Sequence, residues 1–478
     1  MSRQLIFIPL IFSLFTSVFS QNINKKLDRY LTDYYINKNV PSISAGLSVD
    51  GKIIWIDTKG YSDIENNVRA TKNTVYRIAS ISKTITAVAI MQLAEQEKIK
   101  LDDDARKYIR FPSKKWKFTI RQLLSHTAGI RTYKNSEEFN SKEFFNSTQD
   151  AVNYLAKDSL VYEPGTKYLY TTLGYNLLAA VIESVSGFSF SDYIKKNIFE
   201  PADMKSTYPD VQRDIIPNRA KGYDRNQYRQ IENAALADLS VKIPGGGFLS
   251  TSEDLLKFAD SLLKGKLIKL TSLDSTVVPT KLKNGKIINY GLGMEFGVDK
   301  SGRQYFGHIG GGTGFVSHLL IYPEEKVAAV HLINTRDRNL GEPAFDIAAI
   351  YFGREIKEPE KSLADSLLNI TLNYGIDSAL TVYGKIIFDT TNNLNKSLQE
   401  QITFGYDLIN IRKYSGSILF FRMLSREFVN SAQVFIGLGD AYFKDGNKGL
   451  ATKNFRQALR LQPLNNYAAE MLKKLSGI

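Results

Sequence analysis

The stretch YRIASISKT places a serine and a lysine three residues apart, Ser80 and Lys83, at the start of an apolar segment with helical periodicity. Residues three apart share one face of a helix, so the Lys83 amine is expected beside the Ser80 hydroxyl in the first turn. The helix N-terminus also favours negative charge on that oxygen. Burial under an apolar helix lowers the pKa of a lysine, so that a neutral amine accepts the serine proton. The spacing predicts an activated serine, although a solvent-facing lysine would give the same spacing by chance.

Five further motifs follow this pair along the chain. They are LLSHTAGI (123–130), EPGTKYLYTTLGYNLL (163–178), PGGGFLSTSEDLLKF (244–258), YGLGMEF (290–296) and GHIGGGTGF (307–315). In this order they resemble the serine β-lactamase and penicillin-binding protein superfamily, on the branch of class C enzymes, carboxylesterases and D-aminopeptidases (S12-type peptidases). Within that branch the chain resembles in particular the mitochondrial β-lactamase-like peptidase relatives. The resemblance covers residues 26–350.

The resemblance implies a role for each matching residue. Ser80 matches the nucleophile that becomes acylated, and Lys83 matches the group that accepts its proton. Tyr170 matches a second proton shuttle, which protonates the leaving group and later activates water; outside its motif it would be taken for a core tyrosine. Thr172 stands where the family usually has asparagine, and its shorter side chain offers one hydroxyl instead of an amide. Weak or absent β-lactamase activity is therefore expected.

His308, Ile309 and Gly310 occupy the place of the family's Lys-Thr-Gly strand motif. Histidine is mostly neutral near pH 7 and hydrogen-bonds instead of supplying a permanent cation, so substrates with less need for a carboxylate clamp are favoured. The glycines from 310 to 312 leave strand backbone bare for a substrate chain to lie alongside. By resemblance, the backbone N–H groups of Ser80 and Gly311 form the oxyanion hole. The expected substrate-binding residues are Thr172, His308, Gly310 and Gly311.

Two other motifs invite functional interpretations that the sequence does not favour. His126 could act as the base of a Ser-His pair, but the resemblance makes its motif a structural turn. Gly245–Gly247 lack the GK[ST] ending of a phosphate loop, so we expect a tight turn before a helix over Ser252–Leu263, with Ser252 as its N-cap. Neither a metal site nor a cofactor is predicted, because the chain has no cysteine and its four histidines are scattered: His126, His308, His318 and His331.

Periodicity predicts the elements that must position these residues. Leu27 to Ile36 has the pattern of a short amphipathic helix, and residues 81–97 are helical. The segment SISAGLSVDGKIIWIDTKGYSD alternates around Asp50-Gly51, a strong hairpin signal, and a second hairpin is predicted around Pro323-Glu324. Strands first, helices next and strands last predict an α/β (β-lactamase/transpeptidase-like) fold. It would be an antiparallel sheet flanked by helices, with an inserted helical subdomain.

The last part of the chain has a different pattern. After the polar linker EIKEPEKS only helical patterns follow, and a 34-residue self-similarity relates Phe404-Gly405 to Leu438-Gly439 and Phe421 to Phe455. This spacing resembles a tetratricopeptide repeat, with a third, degenerate helix pair within 362–388. We therefore predict an all-α tetratricopeptide-like C-terminal domain, which leans on the catalytic domain or on a protein partner. A plain helical cap is the alternative.

The N-terminus predicts export. Residues 1–20 combine one arginine, an apolar stretch and small residues, as in a signal peptide, and the apolar stretch is shorter than the roughly 20 residues of a spanning helix. A secreted or periplasmic protein without a stable membrane anchor is expected. The net charge is +13, but the lysines are dispersed, so no nucleic-acid partner is predicted.

Together these patterns predict three parts: a signal peptide (1–20), a β-lactamase-like serine hydrolase domain (21–355) and a helical repeat domain (356–478). The expected function is acyl-enzyme hydrolysis of a small-molecule or peptide substrate, including D-amino-acid peptides and esters. Two alternatives stay open. One is a non-catalytic protein of the same fold that binds a protein or cell-wall partner through its repeats. The other is a transpeptidase, in which an amine instead of water takes the acyl group.

Overall fold

The structure, a computed structural model, describes residues 8–112 and 114–476, with side chains described from residue 22 onward. The chain divides into two compact units. One contains the residues up to Asp224 together with Asn233–Glu358, and the other contains Arg225–Glu232 together with the chain from Pro359. The predicted signal peptide, 1–20, lies outside the residues whose side chains are described, and it stays a prediction.

The described chain contains sixteen strands, many of them short, and eighteen α-helices. The strands are β1 (Ser42–Val49), β2 (Lys52–Asp63), β3 (Val68–Arg69), β4 (Tyr76–Arg77), β5 (Tyr208–Pro209), β6 (Tyr223–Arg225), β7 (Ile231–Asn233), β8 (Phe248–Ser250), β9 (Thr280–Lys281), β10 (Ile287–Ile288), β11 (Glu295–Val298), β12 (Gln304–Gly312), β13 (Phe315–Tyr322), β14 (Val327–Ile333), β15 (Lys361–Ser362) and β16 (Leu394–Asn395). The helices of the first unit are α1 (Ile8–Lys38), α2 (Ile81–Glu95), α3 (Ile120–Leu124), α4 (Ser136–Phe139), α5 (Thr148–Ala156), α6 (Gly174–Ser186), α7 (Phe190–Ile194), α8 (Ile243–Gly246), α9 (Ser252–Leu263), α10 (Leu270–Thr276) and α11 (Pro343–Tyr351).

A seven-stranded antiparallel sheet forms the centre of the first unit, in the order β11-β12-β13-β14-β1-β2-β3. Asp50 and Gly51 make the turn between β1 and β2 with φ of 47° and 75°, the left-handed conformation that tight hairpin turns need. Both predicted hairpins, β1-β2 and β13-β14, are confirmed. Because β1 also pairs with β14, the two ends of the domain close one sheet around the inserted helices.

The sheet is covered on both faces. Along β14, Val327 and Ala329 lie in the core that α1 and α11 close, whereas Ala328 and Val330 lie in the core that contains α2 and α9. This alternation follows from the two-residue period of a strand, and it leaves every residue of β14 buried. The predicted α/β fold, with helices flanking an antiparallel sheet, is confirmed.

The structure contains the helices that the sequence predicts, but their ends differ: α1 is much longer than the predicted short helix, and one N-cap is at another residue. The predicted helix over 81–97 is α2, which ends at Glu95, and the predicted Leu27–Ile36 helix lies inside α1. The expected N-cap of α9 was wrong: Thr251 Oγ1 accepts the Asp254 N–H at 3.2 Å, and Ser252 is the first helical residue. Thr251 has the extended backbone that an N-cap requires.

The C-terminal part of the second unit is helical. Its helices are α12 (Leu363–Tyr374), α13 (Ile376–Ile386), α14 (Leu398–Asn410), α15 (Tyr414–Glu427), α16 (Ala432–Lys444), α17 (Lys448–Leu461) and α18 (Asn466–Ser476). A Cβ added at Gly405 would lie 2.5 Å from the Phe421 ring, and one added at Gly439 would lie 2.8 Å from the Phe455 ring. The same close contact thus recurs 34 residues later, while the tetratricopeptide assignment itself stays a prediction.

Within the described residues, no single helix is long and apolar enough to cross a membrane. One bent pair, Gly174–Ser186 with Phe190–Phe199, meets that test only when its two helices are counted together across a 77° bend.

Candidate active site

Ser80 lies where the chain turns from β4 into α2. Ala79 has a φ of 44°, a conformation in which a non-glycine residue stores backbone strain. Ser80 is the N-cap of α2, yet its side chain makes no capping hydrogen bond. Its hydroxyl is therefore available for hydrogen bonds with other side chains.

Lys83 lies one turn further along α2 and is completely buried. Its Nζ is 3.0 Å from Ser80 Oγ, 3.1 Å from Thr172 Oγ1 and 2.6 Å from the Gly245 carbonyl oxygen. Burial lowers the pKa of Lys83 to about 7. A neutral amine has two N–H donors and one lone pair. Here the two N–H groups can donate to the Gly245 carbonyl oxygen and to Thr172 Oγ1. The lone pair then remains to accept the Ser80 hydroxyl proton.

Tyr170 approaches Ser80 from another side. Its hydroxyl donates to Ser80 Oγ at 2.7 Å, and Lys83 Nζ lies 4.7 Å from its ring centroid. Burial raises the pKa of Tyr170 well above its ordinary value, so the phenol holds its proton near neutral pH. Ser80 Oγ thus lies between an amine that can take a proton and a phenol that can donate one.

Thr172 lies on the far side of the Lys83 amine. Its Oγ1 is the 3.1 Å partner of Lys83 Nζ, and its methyl group would lie 2.8 Å from a Cβ added at Gly245. The absent side chain at Gly245 therefore makes room for Thr172 beside the carbonyl that Lys83 contacts. The structure thus brings Ser80, Tyr170 and Thr172 together around the amine of Lys83.

His308 lies on β12 and is 1 % exposed. Its Nδ1 is 2.6 Å from the Ile309 carbonyl oxygen, and its Nε2 is 3.0 Å from the Tyr290 hydroxyl. A carbonyl can only accept, so Nδ1 carries the hydrogen and Nε2 accepts from Tyr290. Burial lowers the pKa of His308 to about 3. The ring is therefore neutral and hydrogen-bonded within the protein on both sides, whereas the sequence suggested a direct hydrogen bond to substrate.

Gly310 and Gly311 face different surroundings. A Cβ at Gly310 would lie 2.1 Å from Ser317 Oγ and 2.4 Å from the Ile78 carbonyl oxygen, whereas one at Gly311 would have nothing within 4 Å. Gly310 is thus needed so that β12 can pack against the segment leading to Ser80. Gly311 is exposed and faces open space.

One edge of β12 is free beside these glycines. Among the described strands, β11 is the partner on this side, and its pairing stops at Glu295 with Gly307. The Ile309 N–H then donates to Glu295 Oε2 at 3.2 Å. Because N–H groups alternate in direction along an antiparallel strand, the Gly311 N–H points to the same edge. The edge therefore offers a backbone donor beyond the end of β11.

His126 does not act on Ser80. Its Nδ1 accepts the Thr171 N–H at 3.3 Å, its Nε2 has no hydrogen-bond partner among the described residues, and its ring centroid lies 4.4 Å from that of Tyr170. Its φ is 58°, and it is buried. The expected structural turn is confirmed, with a function that the sequence did not indicate: the ring packs against Tyr170.

Sequence reasoning missed three residues that act on this site. Tyr290 orients His308, and Glu295 raises the pKa of Lys83 while the buried Lys242 lowers it. Burial also lowers the pKa of Lys242, to about 8. Tyr290 and Glu295 belong to the YGLGMEF motif, so that motif was the available signal for them. Lys242 had no such signal, because it lies before the glycine motif at 244–258.

Comparison with known proteins places this site in a family. Residues 24–350 match the family described as Beta-lactamase. The chain is 31% identical over 384 residues to the bovine protein "Serine beta-lactamase-like protein LACTB, mitochondrial", covering 60% of this chain and 69% of that protein. It is 29% identical to "Penicillin-binding protein 4*" of Bacillus subtilis, over 65% of this chain and 72% of that protein.

Solved structures show the same fold. The octameric penicillin-binding protein homologue from Pyrococcus abyssi matches with a TM-score of 0.61 at 25% identity, over 73% of this chain and 81% of that chain. The D-amino acid amidase from Ochrobactrum anthropi matches with a TM-score of 0.60 at 22% identity, over 70% of this chain and 98% of that chain. Since the family match alone spans more than half of the sequence, the chain belongs to the Beta-lactamase family, a family of serine hydrolases.

Proposed function

We propose that this protein hydrolyses peptide or ester bonds, including bonds to D-amino acids, through an acyl-enzyme on Ser80, with little or no turnover of β-lactams. One observation carries the proposal. Ser80 Oγ lies 3.0 Å from the buried Lys83 amine and 2.7 Å from the Tyr170 hydroxyl. A nucleophile within hydrogen-bond reach of a proton acceptor, which is itself oriented by further groups, is the arrangement that covalent catalysis requires.

In the first half of the reaction, the neutral Lys83 amine takes the Ser80 proton as Oγ attacks the substrate carbonyl carbon. The N–H groups of Ser80 and Gly311 hold the oxyanion that forms; removing one such donor typically costs about 10²–10³ in rate. Tyr170 then gives its proton to the leaving group and regains one from Lys83. The products of this half are an acylated Ser80 and a free amine or alcohol.

In the second half, water replaces the leaving group. The Tyr170–Lys83 pair takes a proton from water as its oxygen attacks the acyl carbon, and Ser80 recovers its proton when the carboxylic acid leaves. A transpeptidase would differ only at this step, where an amine would attack in place of water. Competition between water and an added amine, followed by mass spectrometry of the products, distinguishes the two reactions.

Two features support the substrate class. Thr172 supplies one hydroxyl, already held by Lys83, where an asparagine would supply an amide for the substrate. The neutral, buried His308 offers no cation for a carboxylate. Substrates that depend on such a clamp, β-lactams among them, are therefore expected to react slowly.

The proposal is tested with a fluorophosphonate probe, which labels activated serines. Labelling is expected in the native protein and in Ser275→Ala, a control at an exposed serine of α10, and it is expected to vanish in Ser80→Ala. Tyr170→Phe should lower esterase turnover by about 10²–10⁴. Labelling that is absent or independent of Ser80 would instead favour the non-catalytic binding protein.

We also propose export with removal of residues 1–20. The proposal rests on the sequence of these residues, since one relative is by name mitochondrial. N-terminal sequencing of the protein from its own cells should give Gln21 as the first residue. Any start before Gln21 would contradict the proposal.

We propose in addition that the helical C-terminal part binds a partner protein. Tyr374, Phe388 and Leu464 are 76%, 81% and 91% exposed there, and exposed large apolar side chains support contact with another protein. Lysine crosslinking in intact cells should join Lys448 or Lys453 to a second protein. Crosslinks confined to this chain would contradict it.

A further inference from the structure

The open edge of β12 carries an acid that the proposed reaction does not use. Glu295 is the first residue of β11, and its side chain is 37% exposed. One carboxylate oxygen accepts the Ile309 N–H at 3.2 Å. The other lies 3.7 Å from His308 Nδ1, but that nitrogen's hydrogen is held by the Ile309 carbonyl oxygen at 2.6 Å. Because His308 is neutral, this contact gives the carboxylate no compensating charge.

Charged groups near Ser80 differ in their access to a substrate. Lys83 is fully buried, and Lys242 is 5% exposed, with its Nζ donating to the Phe139 carbonyl oxygen. Glu295 is the most exposed of the three, and its side chain lies at the open edge of β12. The charge that a substrate on this edge meets beside Ile309 is therefore negative.

The backbone sets the distance from the reacting carbonyl. The Ile309 and Gly311 N–H groups point to the same edge, and two residues of an antiparallel strand span about 7 Å. When the Gly311 N–H holds the substrate carbonyl, the substrate atoms that lie one residue further along β12, towards Ile309, are therefore beside Glu295. Capping of the Ile309 N–H alone would need only an uncharged acceptor, such as a glutamine side chain.

We propose that Glu295 is a specificity-determining residue, which favours substrates whose leaving group carries a cation about one residue from the scissile carbonyl and disfavours a carboxylate there. This inference rests on the hydrolase function proposed above. It narrows the substrate class to amine-bearing peptides, amides or esters. The attraction is electrostatic, so added salt weakens it.

The test uses three thioesters of N-acetyl-D-alanine that differ in the charge of the leaving thiol: 2-(trimethylammonio)ethanethiol, 2-methoxyethanethiol and 3-mercaptopropionate. The released thiol is followed with a disulfide reagent, and the protein gives no background because it contains no cysteine. At about pH 8 and low salt, kcat/KM for the cationic ester should exceed that for the anionic ester at least about tenfold. Raising the salt to about 0.5 M should reduce this ratio.

Glu295→Gln keeps an acceptor for the Ile309 N–H and removes the charge, so it should lower the cation-to-anion ratio at least about fivefold. Glu325→Gln, which removes a carboxylate paired with Arg303 at 3.2 Å, should leave the ratio unchanged. Comparing ratios within each variant cancels any change in the Lys83 pKa, since that change affects all three esters alike.

The outcomes separate the two proposals. If even the neutral ester is not hydrolysed by a Ser80-dependent route, the hydrolase function and this inference both fail. If the neutral ester is hydrolysed but the native protein shows no preference for the cation, or Glu295→Gln leaves that preference intact, the inference alone is overturned.

Discussion

The protonation state of Lys83 should control the rate of acylation near neutral pH. Burial lowers the pKa of this amine from 10.5 to about 7, and only the neutral form can accept the Ser80 proton. The neutral fraction should rise from about one-tenth at pH 6 to about nine-tenths at pH 8. The rate of acylation, measured as kcat/KM for a neutral ester, is therefore expected to increase about tenfold over this interval and then level off.

Tyr170, which contacts Ser80, and His308, whose ring lies beside that of Tyr170, do not titrate in this interval. Burial lowers the pKa of His308 to about 3 and raises that of Tyr170 well above its ordinary value. Lys242, whose pKa is about 8, does titrate there, but it acts only through its charge on Lys83. A single rise with a midpoint near 7 is therefore assigned to Lys83.

Charge variants of the neighbours test that assignment. Glu295 raises the pKa of Lys83 and Lys242 lowers it, so Glu295→Gln should move the midpoint down and Lys242→Met should move it up. Lys83→Arg should be inactive throughout, because arginine does not lose its proton in proteins. A flat profile between about pH 6 and 9, a midpoint near the ordinary lysine value of about 10.4, or shifts of the wrong sign would refute the reasoning.

Three further predictions concern stability and packing. Lys83→Met should abolish activity but raise the free energy of unfolding by about 2 kcal/mol at pH 7.5, because keeping the lysine uncharged costs about 4 kcal/mol and its lost hydrogen bonds offset about half. This cost is absent above the unfolded pKa of 10.5 and grows as the pH falls to about 7; urea unfolding beside the exposed control Lys264→Met measures it. His318 is buried, and its pKa is lowered to about 3, so the stability it contributes is complete above its ordinary pKa of 6.5 and is lost as the pH falls towards 3. On going from pH 7.5 to 5, His318→Met should therefore lose about 2 kcal/mol less than the native protein, and equal losses would contradict this. Gly310→Ala should cost about 3 kcal/mol or prevent folding, since its Cβ would lie 2.1 Å from Ser317 Oγ, whereas Gly311→Ala should melt like the native protein and raise KM; similar melting of the two variants would contradict this.

Local sequence signals predicted much of the fold. The Asp50-Gly51 turn, the helix after Ser80 and the pairing of Ser80 with Lys83 each depend on residues close in sequence, where turn chemistry and helical spacing are decisive. The order of strands and helices, together with the motif resemblance, was enough to predict the sheet. It was also enough to predict that Tyr170 and Thr172 lie close to Ser80 and Lys83. The cap of α9 was missed by one residue because Thr251 and Ser252 are both good N-caps, and tertiary contact decides between them: Ser252 Oγ hydrogen-bonds Ser44 Oγ at 2.9 Å.

The environment of His308 could not be predicted from its sequence motif. Its place in the His-x-Gly pattern suggested a side chain turned towards substrate, but the choice between cleft and interior depends on Tyr290, which is 18 residues away in sequence. Glu295 is 14 residues from the backbone N–H that it caps. Spacing within a motif says nothing about such partners, since they meet only after β11 and β12 pair.

Burial of α2 decides the chemistry of the site. The polar side chains in the first two turns of this helix are fully buried, and each has a partner: the Ser82 hydroxyl accepts the Phe248 N–H, and Thr84 and Thr86 donate to the carbonyl oxygens of Gly293 and Pro244. These hydrogen bonds allow a helix with polar residues to be surrounded on all sides. Only because water is excluded there does Lys83 lose its charge, since desolvation is the largest cause of its lowered pKa and the opposed charges of Glu295 and Lys242 come after it. The neighbouring acid and base can therefore vary to suit a substrate without removing the neutral amine, as long as the packing around α2 is kept.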